Sequence, residues 1–447
     1  MDKARRIALI VLKEVNEDKK YANISLKEHI NRAALDERDA AFVTQLVYGT
    51  LENQSIIDQV LRKFAKMKKV NPWIENILRM GCYQILYLDR VPDSAACNES
   101  VKLCQSFGFA SLKGFVNGVL RNISRKKKTL DILKKTLVDA KSLASLYGFP
   151  LWLIEMWSKE YGIEATRKII KNSVGPSWTT IRVNGGKIKR EEVAKRLIEQ
   201  GVEVKKGLYF DNALRVRGIG DIQSNPLYQQ GLFTVQGESS MLACHILNPN
   251  SGEHILDACS APGGKAIYLA ELMNMEGKVY AFDNHDHRVE LINKNIERME
   301  AFIIHTRLQD ATIFNPEFEE NIDRVLLEVP CSGLGVMHKK PDIKLRITKE
   351  DLNSLYKLQW DILTTCSRYV KYGGVLVYST CTINPYENNK MVERFLKEYP
   401  EFELDEFNKE LPDDLKDFII KDGMIQLMPC KEGLDGFFIA KLRRIKR

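Results

Sequence analysis

Asp257-Ala258-Cys259-Ser260-Ala261-Pro262-Gly263-Gly264-Lys265 is the stretch on which the reading of this chain turns. It begins inside a short apolar run, His254–Ala258, and opens into an amphipathic stretch, the strand–turn–helix order of a nucleotide-binding α/β unit. Glycines at such a turn let the backbone approach a ligand at the carboxyl edge of a parallel sheet. The stretch is not a phosphate loop: Ala266, not Ser or Thr, follows Gly264-Lys265, and Cys259 stands where the first glycine would be. Nor is it GxGxxG. Asp283 ends the next apolar run about 20 residues on, where a carboxylate can accept both hydroxyls of a ribose. Asp310, at the end of the predicted third strand, is placed to receive an adenine amino group. Glycines and two strand-end carboxylates without phosphate chemistry suit S-adenosylmethionine; a generic Rossmann turn is the plainer alternative.

Outward from that turn, the apolar runs Val279–Phe282, Val325–Leu327 and Gly374–Tyr378 alternate with amphipathic stretches such as Val289 to Met299. The pattern predicts a doubly wound parallel sheet over 232–447, with Met424–Met428 and Gly436–Leu442 as a late antiparallel pair at its edge. The fourth strand ends Leu327-Glu328-Val329-Pro330-Cys331-Ser332-Gly333, and the fifth ends Tyr378-Ser379-Thr380-Cys381-Thr382-Ile383-Asn384-Pro385. In an open parallel sheet those ends border the same crevice as the glycine turn, which brings two thiols and a carboxylate to the cofactor. Such a set suits methylation at carbon 5 of cytosine. That carbon is a poor nucleophile until a thiolate adds at C6, and the adduct must later be released by elimination. The plainer reading of any one cysteine is a small buried hydrophobe.

Residues 1–128 read as a helical domain. Ala8, Val11, Leu12 and Val15 recur at helical spacing, Ile74, Ile77, Leu78 and Ile85 mark a second face, and Pro72 suits the first turn of that helix. Pro92-Asp93-Ser94 breaks the chain before the next helix. Residues 1–130 hold 23 Lys/Arg and 14 Asp/Glu, a net of +9, whereas the other 317 residues net −1. Basic runs stand at Arg62-Lys63, Lys68-Lys69 and Arg125-Lys126-Lys127-Lys128. A basic domain joined to a neutral one is an electrostatic handle for a polyanion, or simply a solvated surface. Residues 129–231 read as a small α+β module: helical stretches flank Tyr147-Gly148-Phe149-Pro150, and a β-rich run, Trp178–Asn184, precedes a helix and a strand.

Hydrophobic and charged fractions of 44% and 28% are those of an ordinary globular protein, and 447 residues exceed one core. No apolar run is long enough to span a bilayer, and the basic N-terminus is not followed by a signal-like apolar stretch. Nine scattered cysteines show no zinc-ligand spacing. The expectation is a cytoplasmic protein with no metal and no membrane.

The loop Asp257–Lys265, Pro330-Cys331-Ser332-Gly333 and Ser379–Pro385 together resemble the cofactor and catalytic motifs of the RNA cytosine-5 methyltransferases. Gln236-Gly237-Glu238-Ser239-Ser240-Met241 and Asp435-Gly436-Phe437-Phe438 fit the same pattern. The first domain resembles NusB-like RNA-binding domains, through Arg38-Asp39, Leu46-Val47-Tyr48-Gly49-Thr50 and Asn117-Gly118-Val119-Leu120-Arg121. Over the whole chain the architecture is similar to that of bacterial small-subunit ribosomal RNA cytosine-5 methyltransferases with a NusB-type extension. The resemblance implies Cys381 as nucleophile and Cys331 as the cysteine that assists release. It also implies cofactor contacts from Cys259, Ser260, Ala261, Pro262, Gly263, Gly264, Lys265, Asp283, Asp310 and Glu328, ribosomal RNA as partner, and a target of the cytosine 967 type. The family usually carries Asp two residues before the Pro-Cys, at the target base; Glu328 stands there, one methylene longer. Other readings are a tRNA methyltransferase, or an RNA-binding assembly factor with weak or no catalysis. A DNA enzyme is disfavoured because Ser332, not Gln, follows Pro330-Cys331.

Overall fold

Apolar residues at helical spacing build the first part of the chain. The computed structural model describes residues 2–67, 70–129, 139–174, 178–409, 411–430 and 433–446, so the Lys68-Lys69 run lies outside the described residues. Six helices come first: Lys3–Asn16, Ala22–Ala33, Glu37–Phe64, Pro72–Tyr87, Asp93–Ser106 and Lys113–Lys126. Ala8, Val11, Leu12 and Val15, and likewise Ile74, Ile77, Leu78 and Ile85, are buried in their common core. Pro72 occupies the first turn of its helix, where its missing N–H is harmless, and the Asn71 side chain caps the Trp73 amide at 2.9 Å.

The chain divides into two compact units, Met1–Val174 with Met337–Arg346, and Gly175–Val336 with Ile347–Arg447. This differs from the expected division at 128/129 and 231/232. Helices Ala140–Tyr147, Leu151–Tyr161 and Ile163–Asn172 belong to the first unit, because the first of them packs on the long helix Glu37–Phe64. Gln59 Nε2 donates to Ser145 O there at 2.5 Å. The expected boundary at 128/129 abuts residues 130–138, outside the described residues. The first unit also takes a piece from far along the sequence. Lys344 is buried and donates from Nζ to Glu52 O at 2.8 Å and Tyr147 O at 2.9 Å, and Leu345 packs against the helical core.

In the second unit, strands β1 (Thr179–Val183), β2 (Glu203–Lys206), β3 (Ala213–Arg217) and β4 (Phe233–Val235) form an antiparallel sheet in the order β2-β3-β1-β4. The helix Arg190–Glu199 covers one face through Val193 and Leu197. Strand β4 pairs with β1, so this module runs past the expected limit at 231.

The larger sheet holds β5 (His254–Asp257), β6 (Lys278–Asp283), β7 (Ile304–Leu308), β8 (Ile322–Glu328), β9 (Val370–Thr380), β10 (Phe402–Leu404), β11 (Ile419–Lys421), β12 (Met424–Leu427) and β13 (Phe437–Arg444). Its order is β11-β12-β13-β9-β8-β5-β6-β7, with β10 beside β13. Strands β5 to β9 pair in parallel; β13 adds antiparallel to β9, and β12 to β13. Strand residues alternate between faces, so Ile255, Leu326 and Val377 enter one core and Leu256, Leu327 and Tyr378 the other. Both faces are therefore apolar, as a parallel sheet between helices requires. The order reverses at β5, which has β6 on one side and β8 on the other. The crevice beyond the carboxyl ends at such a switch point is where α/β sheets bind ligands. No helix among the described residues is long and apolar enough to cross a membrane, and no cluster of three or more His, Cys, Asp or Glu is placed to hold a metal.

Candidate active site

The glycine loop sits at that switch point. Asp257 ends β5 fully buried, and among the described residues its carboxylate oxygens and the buried Ser260 Oγ make no well-formed hydrogen bond. Burial pushes the Asp257 carboxyl above its ordinary value, against the pull of Lys265. Gly263 turns the chain into the helix Gly264–Leu272 at φ 96°, a left-handed conformation that favours glycine. A side chain at Gly264 would meet no protein atom within 4 Å, so that turn faces open space. Burial and the nearby Asp257 carboxylate push the Cys259 thiol up to about 12, which makes it a poor thiolate.

Lys265 Nζ lies 3.2 Å from Glu328 Oε2, the carboxylate that ends β8. Burial works against the lysine charge, yet the carboxylates of Glu328 and Asp257 outweigh it and hold its pKa above the ordinary value. The loop's cation is thus committed to carboxylates rather than free for a phosphate. Asp283 ends β6 buried, with Oδ1 accepting the His285 amide at 3.2 Å and Oδ2 without a hydrogen bond among the described residues. Asp310 lies two residues past the end of β7, not at its last residue. Its Oδ1 accepts from Thr312 N at 2.8 Å and Thr312 Oγ1 at 2.7 Å, and Oδ2 carries no bond among the described residues.

Strands β8 and β9 are parallel neighbours, with Glu328 in register with Ser379. The segments that leave their carboxyl ends therefore start side by side, and Cys331 Sγ lies 3.3 Å from Cys381 Sγ. Both thiols are half-buried and free. The bond to Cys381, then burial, then the charges at Cys381 and Glu387 hold the Cys331 thiol well above its ordinary value. In this contact either sulfur could be the donor.

Three contributors were not singled out in the sequence. Glu387, fully buried, accepts from Ser332 N, Ser332 Oγ, Gln359 Nε2 and Asn384 Nδ2. Arg182 of β1, also fully buried, pairs with Glu271, donates to Gln236 Oε1 at 2.7 Å and reaches Gly264 O at 3.4 Å, with its guanidinium 4.3 Å from the Tyr268 ring centre. Asn295 donates to Pro262 O at 2.9 Å. The glycine loop is therefore braced by its backbone carbonyls from two sides. Long-range burial of polar side chains leaves no local pattern; only the polar density of Asn384-Pro385-Tyr386-Glu387-Asn388-Asn389 hints at Glu387.

The comparisons with known proteins agree with this layout. The family described as 16S rRNA methyltransferase RsmB/F matches residues 244–443, the NusB family residues 2–125, and an RsmF/B-type ferredoxin-like domain residues 149–223. A protein of Bacillus subtilis named probable ribosomal RNA small subunit methyltransferase B is 39% identical over 444 residues, 98% of each chain. One of the same name from Synechocystis is 34% identical over 99% of this chain and 100% of its own. The crystal structure of PH0851 superposes with a TM-score of 0.82 at 28% identity, covering 98% of both chains. A NusB-like helical domain, a small middle domain and a methyltransferase sheet bearing two adjacent thiols thus fall together, and the chain belongs to the RsmB/F family of 16S rRNA methyltransferases.

Proposed function

We propose that the chain methylates carbon 5 of a cytosine in small-subunit ribosomal RNA, of the cytosine 967 type, with S-adenosylmethionine as donor and Cys381 as nucleophile. The observation that carries this reading is the 3.3 Å approach of Cys331 Sγ to Cys381 Sγ beyond the carboxyl ends of β8 and β9. Such RNA places the protein in the cytoplasm, and the net +9 of residues 1–130 suits a polyanionic substrate.

The residues fit the donor. The orphaned Asp257 carboxylate and Ser260 hydroxyl, the open space at Gly264 and the unengaged oxygens of Asp283 and Asp310 offer acceptors for a nucleoside. Cys259–Lys265 would line the cofactor with backbone, Asp283 would accept the ribose hydroxyls, and Asp310 the adenine amino group. Bound S-adenosylmethionine supplies an electrophilic methyl group on a sulfonium. Cys381 Sγ, as thiolate, would add to C6 of the cytosine; the C5=C6 pair becomes a C4=C5 bond and the C4=N3 pair goes to N3. C5 thereby gains enamine character and takes the methyl as the methyl–sulfur bond breaks with its pair left on the donor sulfur. Glu328, held by Lys265, would border the N3/N4 edge of the base. A base then takes the C5 proton, the C5–H pair reforms the C5=C6 bond, and the C6–S bond breaks with its pair returning to sulfur. Cys331 assists this release.

The test uses natural small-subunit RNA and folded variants. Cys381→Ala is expected to abolish methyl transfer while still binding S-adenosylhomocysteine. Cys331→Ala is expected to accumulate an RNA–protein adduct that runs slowly on a denaturing gel. Appreciable turnover by Cys381→Ala, or methylation mapped to a site other than cytosine C5, overturns the reading.

A further inference from the structure

Two thiols 3.3 Å apart raise a question that proximity alone leaves open: what keeps their roles distinct. The group packed behind them is a carboxylate. Glu387 is fully buried, and no Lys, Arg or His pairs with it among the described residues. Its acceptors are filled by neutral donors only: Ser332 N at 2.8 Å and Gln359 Nε2 at 2.9 Å on Oε1, Ser332 Oγ at 2.5 Å and Asn384 Nδ2 at 2.9 Å on Oε2. A buried, uncompensated charge of this kind is expensive to desolvate and persists only where its hydrogen bonds are complete.

Those donors come from both cysteine-bearing segments. Ser332 follows Cys331 directly, and Asn384 lies on the turn that leaves Cys381. Ser332 Oγ also meets Thr382 Oγ1 at 2.7 Å, and Tyr378 OH donates to Glu387 O at 2.8 Å. Gln359 ties the carboxylate to Pro330 O at 2.9 Å through the same amide nitrogen. The titratable groups its charge reaches are Cys331, Tyr356 and Tyr378; Cys331 belongs to the facing segment, whereas Glu387 itself lies on the segment that leaves Cys381.

We propose that Glu387 is a positioning residue that sets the division of labour between the two cysteines: through its bonds to Ser332 and Asn384 it fixes the Cys331 loop against the Cys381 turn, with its unpaired charge set behind the Cys331 loop. The inference rests on the assignment of Cys381 as nucleophile. A thiolate beside Cys331 Sγ then has a hydrogen-bond donor, and the second sulfur does not compete for C6. With the carboxylate neutralised, both sulfurs could ionise and the adduct could form on either.

The test reads thiol reactivity, not turnover. Full-length protein is alkylated with limiting iodoacetamide from pH 6 to 10, and initial rates at Cys331 and Cys381 are separated by mass spectrometry of their peptides. Wild type is expected to react first at Cys381. Glu387→Gln, with folding checked by thermal melting, is expected to raise the Cys331 rate relative to Cys381 by about tenfold or more and to move the Cys331 midpoint to lower pH. Glu387→Asp keeps the charge and is expected to keep the ratio while lowering kcat with little change in KM for RNA. Should Glu387→Gln fail to fold, Ser332→Ala removes one tie without touching the charge; it is expected to keep the alkylation order and lower kcat. An unchanged ratio in folded Glu387→Gln, or a Cys331 rate in Ser332→Ala that matches Cys381, overturns the proposal. Preferential alkylation of Cys331 in wild type would instead overturn the nucleophile assignment, whatever Glu387 does.

Discussion

Replacing Gly335 with alanine is expected to disable the enzyme without unfolding it. Gly335 lies buried four residues after Cys331, and a Cβ there would fall 2.5 Å from the Gly436 carbonyl carbon and 2.8 Å from its Cα, and closer still to its oxygen. Carbon atoms pack at about 3.5–4.0 Å, so the two backbones must part by roughly 1 Å. Backbone cannot swing aside as a side chain does. The same glycine ties the two cysteine segments: Gly335 N donates to Cys381 O at 3.1 Å, and Gly436 N donates to Gly335 O at 2.9 Å. Loss of both bonds costs about 2 kcal/mol, taking about 1 kcal/mol each. A 1 Å error in the sulfur positions lowers the chemical step about 10²-fold. Single-turnover transfer of labelled methyl to small-subunit RNA at saturating cofactor reads the rate, and denaturant melts read the stability. Affinity for S-adenosylhomocysteine should hold, because the glycine loop is untouched. A wild-type rate in Gly335→Ala would refute the claim that this contact sets the distance between the thiols.

Glu328→Gln removes the partner of a largely buried lysine and, under the proposed mechanism, the acid at the target base, so methyl transfer is expected to fall about 10²-fold or more, in line with general-acid contributions. Glu328→Asp should retain most of the rate in the same single-turnover assay, and a wild-type rate in Glu328→Gln would remove the residue from the mechanism. Lys344 makes stability depend on pH in the alkaline range: burial lowers its pKa from 10.5 to about 8. Between those values only the unfolded chain holds the proton, so this group makes stability rise with pH across that window, by at most about 3 kcal/mol. Denaturant melts of wild type and Lys344→Met from pH 7 to 10.5 check it, since the difference between them should drift in favour of wild type above pH 8; a constant difference would contradict the buried charge.

What could be read without coordinates follows local periodicity. The runs ending at Asp257, Asp283, Glu328 and Thr380 are strands because both sheet faces are covered, which makes them continuously apolar and easy to recognise. The two cysteine segments were legible for the same reason: each lies just beyond a strand, and parallel pairing of β8 with β9 brings them together. Asp310 was placed at a strand end although β7 stops at Leu308, an error of the kind that local pattern makes at element boundaries. The polar scaffolding was not legible. Arg182 and Glu387 look like ordinary surface charges in the sequence, and only distant partners, Glu271 and Ser332 among them, make their burial tolerable. The membership of helices 140–172 in the first unit likewise rests on packing against a helix some 80 residues earlier, as the Gln59–Ser145 bond shows.

The capture of Met337–Arg346 by the helical unit bears on how the chain is made. A ribosome releases residues 1–174 long before 337–346, so the helices emerge without the lysine that binds the Glu52 and Tyr147 carbonyls and without Leu345. The nascent domain must wait, partly finished, while more than 150 further residues are synthesised. Cutting the gene at the domain linker would leave it in that state permanently. A hybrid that joined this helical domain to the sheet of a relative would inherit a foreign peptide at the same place, and would succeed only where that peptide brings its own donor for the Glu52 and Tyr147 carbonyls.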